Sequence, residues 1–107
     1  MKLCDLDLSN SQYSNIPDNT IEDMTRLLKY NVPVGGFLTA VLDNDLRGAL
    51  CRADLHNRAE LRNIVSLVIE YFPSTFGSKG STDRFLEEGI RYNVTHDGML
   101  FRIDSKG

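Results

Sequence analysis

Six apolar side chains between Leu61 and Phe72 constrain this chain more than any other feature. Leu61, Ile64, Val65, Val68, Ile69 and Phe72 recur at i, i+3, i+4, i+7, i+8 and i+11. That spacing lays one stripe along an α-helix. Asp54 or Asn57 suits the start of the helix, and Pro73 ends it. A helix with a dry stripe must bury it against other segments. The spacing predicts a central helix over about 57–72 with the rest of the chain docked on it.

The flanking segments read as smaller elements. Residues 3–8 alternate, with Cys4, Leu6 and Leu8 on one side and Asp5 and Asp7 on the other, which suits a short strand. Asn19 and Glu22 have capping-box spacing ahead of Ile21, Met24, Leu27 and Leu28, and Asn31 and Pro33 close that helix near Tyr30. After Gly35-Gly36 a short helix is expected over about 37–43. A second follows, capped by Asn44, with Leu46, Ala49, Leu50 and Ala53 facing inward. Gly48 within it implies a close neighbour or a bend. Phe76 should tuck back onto the core from a Ser/Gly loop. Ser81 caps a last helix that Gly89 ends. Residues 91–95 and 99–103 then form a hairpin around His96-Asp97-Gly98, with Tyr92 and Val94 on one side of its first strand and Phe101 and Ile103 on one side of its second. A lone hairpin is marginal, so the N-terminal strand is its natural third partner. The expected fold is α+β, mainly α: four to five helices on a central helix, with a small antiparallel sheet. A chain of 107 residues suits one domain, with a helical core over 16–78 and a helix plus β-hairpin over 81–107.

Charge argues against one broad class of function. The chain has 12 Lys and Arg against 15 Asp and Glu, a net −3, whereas general nucleic-acid binding usually needs a basic face. Cys4 and Cys51 form no CxxC pair, and the chain has neither a signal peptide nor a long apolar run. These features predict a cytosolic protein with free thiols and no membrane segment.

Motifs with chemical content are few. Asp43, Asp45, Gly48 and Asp54 have EF-hand spacing, but Arg47 stands where an oxygen ligand is needed and the segment reads as helix. His56 and His96 have no ligand spacing to a cysteine. Cys51 with His56 could form a nucleophile and base, yet Cys51 reads more simply as a small buried apolar group. Gly35-Gly36 lacks the Lys-Ser/Thr of a phosphate loop. We therefore expect no catalytic residue, no metal and no cofactor. Asn44, Asp45, Arg52, Asp54, Asn57 and Arg62 flank one inter-helix turn. They read first as caps and ion pairs that fix the helix angle, and second as a recognition surface.

Residues 16–78 also carry a family pattern: Tyr30, Gly36-Phe37-Leu38-Thr39-Ala40-Val41-Leu42, Asn44-Asp45-Leu46, Arg52-Ala53-Asp54, Asn57, Ile64-Val65, Pro73 and Gly77-Ser78. In this the chain resembles a group of small accessory proteins encoded by bacteriophages and prophages. It departs from them at Phe76, where Trp is expected, and in the hairpin after Ser81. The resemblance implies a non-enzymatic protein of the infected bacterial cytoplasm that binds and inhibits a host protein, such as a CRISPR effector or another defence component. The residues expected to meet that partner are Arg47, Arg52, Asp54, Asn57, Arg58, Arg62, His96 and Asp97. The alternative is a small protein that sequesters a nucleotide or other anion, using Arg47, Arg52 and the Gly35-Gly36 turn.

Overall fold

In the computed structural model, which describes residues 1–103, the chain is mainly α with a minor β component. The element order is β1 (Lys2–Leu3), β2 (Leu6–Asp7), α1 (Asp18–Tyr30), α2 (Gly36–Leu42), α3 (Leu46–Arg52), α4 (Leu55–Ala59), α5 (Leu61–Tyr71), α6 (Ser81–Glu88), β3 (Arg91–Val94) and β4 (Leu100–Ile103). The last four positions of the expected C-terminal module lie outside the described residues.

The N-terminal segment does not join the C-terminal hairpin as a third strand. Cys4 takes a left-handed backbone, φ 54°, and the chain reverses there. β1 and β2 thus pair with each other, Lys2 opposite Asp7 and Leu3 opposite Leu6. The two small sheets still meet: the Asp5 N–H donates to the Val94 carbonyl at 3.0 Å and Asn93 Nδ2 to Asp5 Oδ2 at 2.9 Å. In β3–β4, Val94 pairs with Leu100 and Asn93 with Phe101. Paired residues share a face, so Leu100 turns inward beside buried Val94 while Phe101 turns out. Phe101 and Ile103 share one side of β4, as expected, and Leu100 lies on the other.

α1 touches both sheets, through β1 and β3. Its buried side holds Ile21, Met24, Leu27 and Leu28, as the pattern predicts, plus Thr20. Pro17, rather than Asn19, occupies its N-cap; Asn19 is already the second helical residue and caps nothing. Asn31 ends it in a left-handed conformation, φ 57°. The Asn31 Nδ2 donates to the carbonyls of Ile90, 3.0 Å, and Phe85, 3.3 Å, and ties α1 to the C-terminal module.

The expected central helix is two helices. Backbone at Glu60, φ −103° and ψ 9°, separates α4 from α5. Leu61, Ile64 and Phe72 are buried, Val65 and Val68 are half-buried, and Ile69 is 78% exposed. Leu67, outside the predicted stripe, is fully buried instead. α5 thus turns its Ile64–Leu67 side to the core, and its Val65–Ile69 side lines an open apolar groove with Val41. Aromatic rings join its end to the C-terminal module: Phe72 to Phe76 at 5.6 Å, Phe76 to Phe85 at 5.0 Å and Phe85 to Tyr92 at 6.1 Å between centroids.

Candidate functional site

α3 and α4 are short because each begins at its own side-chain cap. Asp45, not Asn44, caps α3, its Oδ1 accepting the Gly48 N–H at 3.0 Å; Asn44 precedes it in a left-handed conformation, φ 62°. Asp54 caps α4 by accepting the Asn57 N–H at 2.8 Å. Helices of seven and five residues are too short to persist alone, so their caps and their seats on neighbours hold them. Ala49 seats α3 and is its one buried residue. Asn57 seats α4, its buried Oδ1 accepting the Thr20 hydroxyl at 2.7 Å.

This seating leaves the remaining apolar side chains outside. Leu46 is 62% exposed, Leu50 38% and Leu55 85%. The expectation that Leu46 and Leu50 face inward is corrected here: α3 buries only the small side chain of Ala49, and both leucines are left in solvent. Leu46, Arg47 and Leu50 share one side of α3 by i+3 and i+4 spacing, and Leu55 and Arg58 share one side of α4. Arg58 Nη2 donates to the Leu50 carbonyl at 3.2 Å and ties α4 to the end of α3. Cys51 is exposed too, contrary to its reading as a buried apolar group, and both cysteines are free thiols.

The expected contact residues therefore divide. Arg47 and Arg58 lie among the exposed leucines, and exposed Arg62 follows at the start of α5. Arg52 lies elsewhere: a Cβ at Gly36 would stand 2.9 Å from its Cδ, so the arginine stem crosses α2 into a separate cleft. Asp54 is exposed but engaged as a cap. Asn57 is a correction: it is buried and bonded to Thr20, and serves packing rather than contact. His96 and Asp97 sit at the β3–β4 tip, His96 Nε2 at 3.1 Å from Asp97 Oδ1. That tip packs by Gly98 against Tyr71, at the far end of α5 from α4. An 11-residue helix is about 16 Å long, so the tip is no part of the leucine surface. Caps at Asp45 and Asp54 match the expected inter-helix network, but its ion pairs do not form among the described residues.

Sequence reading missed Asp43. Its Oδ1 accepts from Thr82 Oγ1 at 2.7 Å, the Thr82 N–H at 2.9 Å and Ser81 Oγ at 3.2 Å, and its Oδ2 from the Gly80 N–H at 3.3 Å. Burial pushes this carboxyl up, but the donors on Thr82, Gly80 and Ser81 outweigh it and hold the carboxyl below the usual aspartate range. Asp43 thus caps α6 from 39 positions away in sequence, a distance over which no local spacing rule operates.

Between α2, α3 and the 77–79 loop lies a cleft of about 890 Å³, lined among others by Val34, Gly36, Ala40, Arg52, Ser78 and Lys79. No group of three or more His, Cys, Asp or Glu that could hold a metal occurs among the described residues. No described helix is long and apolar enough to cross a membrane. No protein-family model matches the chain, and neither the curated proteins nor the solved structures hold a significant match to it.

Proposed function

We propose that this chain is a non-enzymatic interaction protein that docks on a protein partner through the α3–α4 surface. The observation that carries the reading is the exposure of Leu46, Leu50 and Leu55 beside the cations Arg47 and Arg58. Grouped exposed leucines cost solubility unless something covers them, and such patches mark interaction sites. Apolar anchors ringed by arginines resemble the centre and rim of a binding interface. The resemblance of residues 16–78 to phage accessory proteins supports the choice of partner: a host protein in the bacterial cytoplasm, such as a CRISPR effector, which the chain blocks by occupancy.

The test pairs a phenotype with a surface. Expression of the chain in a bacterium defended by a CRISPR effector should raise the plating of a targeted phage and retain the effector on the tagged chain. The Leu46→Ser/Leu50→Ser/Leu55→Ser variant should keep its circular dichroism spectrum. Its capture should weaken tenfold or more, on the order of one lost anchor. Equal plating with and without the chain removes the effector as partner. Undiminished capture by the triple variant removes the surface.

A further inference from the structure

The C-terminal hairpin has one open edge. The Thr95 N–H donates to the Met99 carbonyl at 2.9 Å, which sets the phase of the β3–β4 ladder. Antiparallel ladder bonds recur at every second residue. Asn93 with Phe101 and Arg91 with Ile103 therefore exchange them, and the pairs between, Val94 with Leu100 and Tyr92 with Arg102, turn their N–H and C=O groups away from the ladder. On the β3 side the Asp5 N–H meets the Val94 carbonyl at 3.0 Å. On the β4 side no other described backbone group bonds to Leu100 or Arg102.

Exposed edges are usually blunted by proline, by bulges or by charge. β4 has no proline, its register is unbroken, and Arg102 is its one charged residue. Its outer side is apolar instead. Met99 and Phe101 are exposed there, and half-buried Ile103 continues the row at period two. A two-stranded hairpin is marginal by itself, whereas three or more strands with an apolar side are not.

This edge is complementary to itself. Two copies of β4 laid antiparallel about Phe101 set Leu100 of each against Arg102 of the other, the residues whose N–H and C=O groups point outward. Both pairs then exchange hydrogen bonds. Phe101 meets Phe101 of the second copy and Met99 meets its Ile103, all on one side of the sheet. Charge selects this register over the one about Arg102, which would oppose two guanidinium groups. A register about Leu100 would run Arg102 into the second copy's turn at Gly98.

We propose that β4 pairs with β4 of a second copy, centred on Phe101, to make a four-stranded antiparallel sheet. The pairing does not rest on the α3–α4 docking surface. Its contact is short, about 13 Å of edge for a four-residue strand, and falls well below the ~800 Å² per partner of a stable complex. The pair is therefore weak and forms at about 0.1 mM protein or above.

Sedimentation equilibrium of the full chain from about 10 μM to about 1 mM tests this. The mean mass should rise from the 12.1 kDa of one chain toward twice that value. Arg102→Pro removes an outward N–H and spares the β3–β4 ladder, so it should stay monomeric with an unchanged circular dichroism spectrum. The leucine triple variant should still pair. Mild oxidation reads the register in a Cys51→Ser background. Phe101→Cys should form a covalent dimer, because its two Cα atoms would lie about 4.5 Å apart. Met99→Cys should not, with about 13 Å between its copies. If the proline disturbs the hairpin, the two cysteine variants decide. A monomer at about 1 mM overturns the pairing. Pairing that survives Arg102→Pro in a folded chain, or that is lost in the leucine variant, overturns the edge as its site. Equal cross-linking of the two cysteine variants overturns the register.

Discussion

The Asp43 carboxylate accepts four hydrogen bonds from residues 80–82, a segment distant in sequence. It ends α2 and starts α6 at once, and its donors on Ser81 and Thr82 are buried. Asp43→Ala removes the cap and leaves those donors unpaired, which should cost about 2–3 kcal/mol. Urea unfolding measures it. Its pH dependence follows from its lowered pKa. The unfolded carboxyl binds a proton more readily than the folded one, so stability rises with pH across that window. The contribution is complete above about pH 4, the ordinary aspartate range, and is lost as pH falls through the lower folded value. Asp43→Asn should flatten the acid limb of a stability–pH curve. Asp5 and Asp7, lowered by hydrogen bonds from Asn93 and Ser9, retain the rest of the slope. Asp43 was visible in the sequence only as a poor calcium ligand, because a cap supplied from a distant segment leaves no local spacing.

At the scale of the element, α5 shows what periodicity does and does not determine. A stripe wide enough to include Val65, Val68 and Ile69 tells that a helix forms and that one side is dry. It does not say where the centre of that side lies. The tertiary core sets the centre at Ile64 and Leu67, and the stripe's other edge was left to the surface. Leu67→Ala should therefore destabilise by about 2–5 kcal/mol. Ile69→Ala, at a position 78% exposed, should stay within about 0.5 kcal/mol. Chemical denaturation of the two variants separates the observed rotation from the predicted one. α3 teaches the same lesson more sharply. Its leucines fit a buried helix by spacing, yet a helix of seven residues that rests on one alanine has room to bury little else.

At the scale of the molecule, one core joins segments that sequence divides. It runs from Leu3 and Leu8 through α1 and α5 to Phe85 and Val94. The packing draws both flanks of the 16–78 segment into that core. Removing residues 1–15 strips Leu3, Leu8 and Tyr13 from the core, and ending at Ser78 strips Phe85 and Val94. Neither fragment should give a cooperative thermal transition by circular dichroism, whereas the full chain should give a single one. Local rules act between neighbours in sequence, and within that reach the sequence by itself determined a great deal: α1 and its buried side, its end at Asn31, the return of Phe76 to the core and the hairpin at Gly98. Only the tertiary structure decided the reversal at Cys4, the break at Glu60, the burial of Asn57 and the exposure of Leu46, Leu50 and Leu55. Each of those depends on which distant surface a short element meets, and a small core can cover only some of the apolar side chains offered to it.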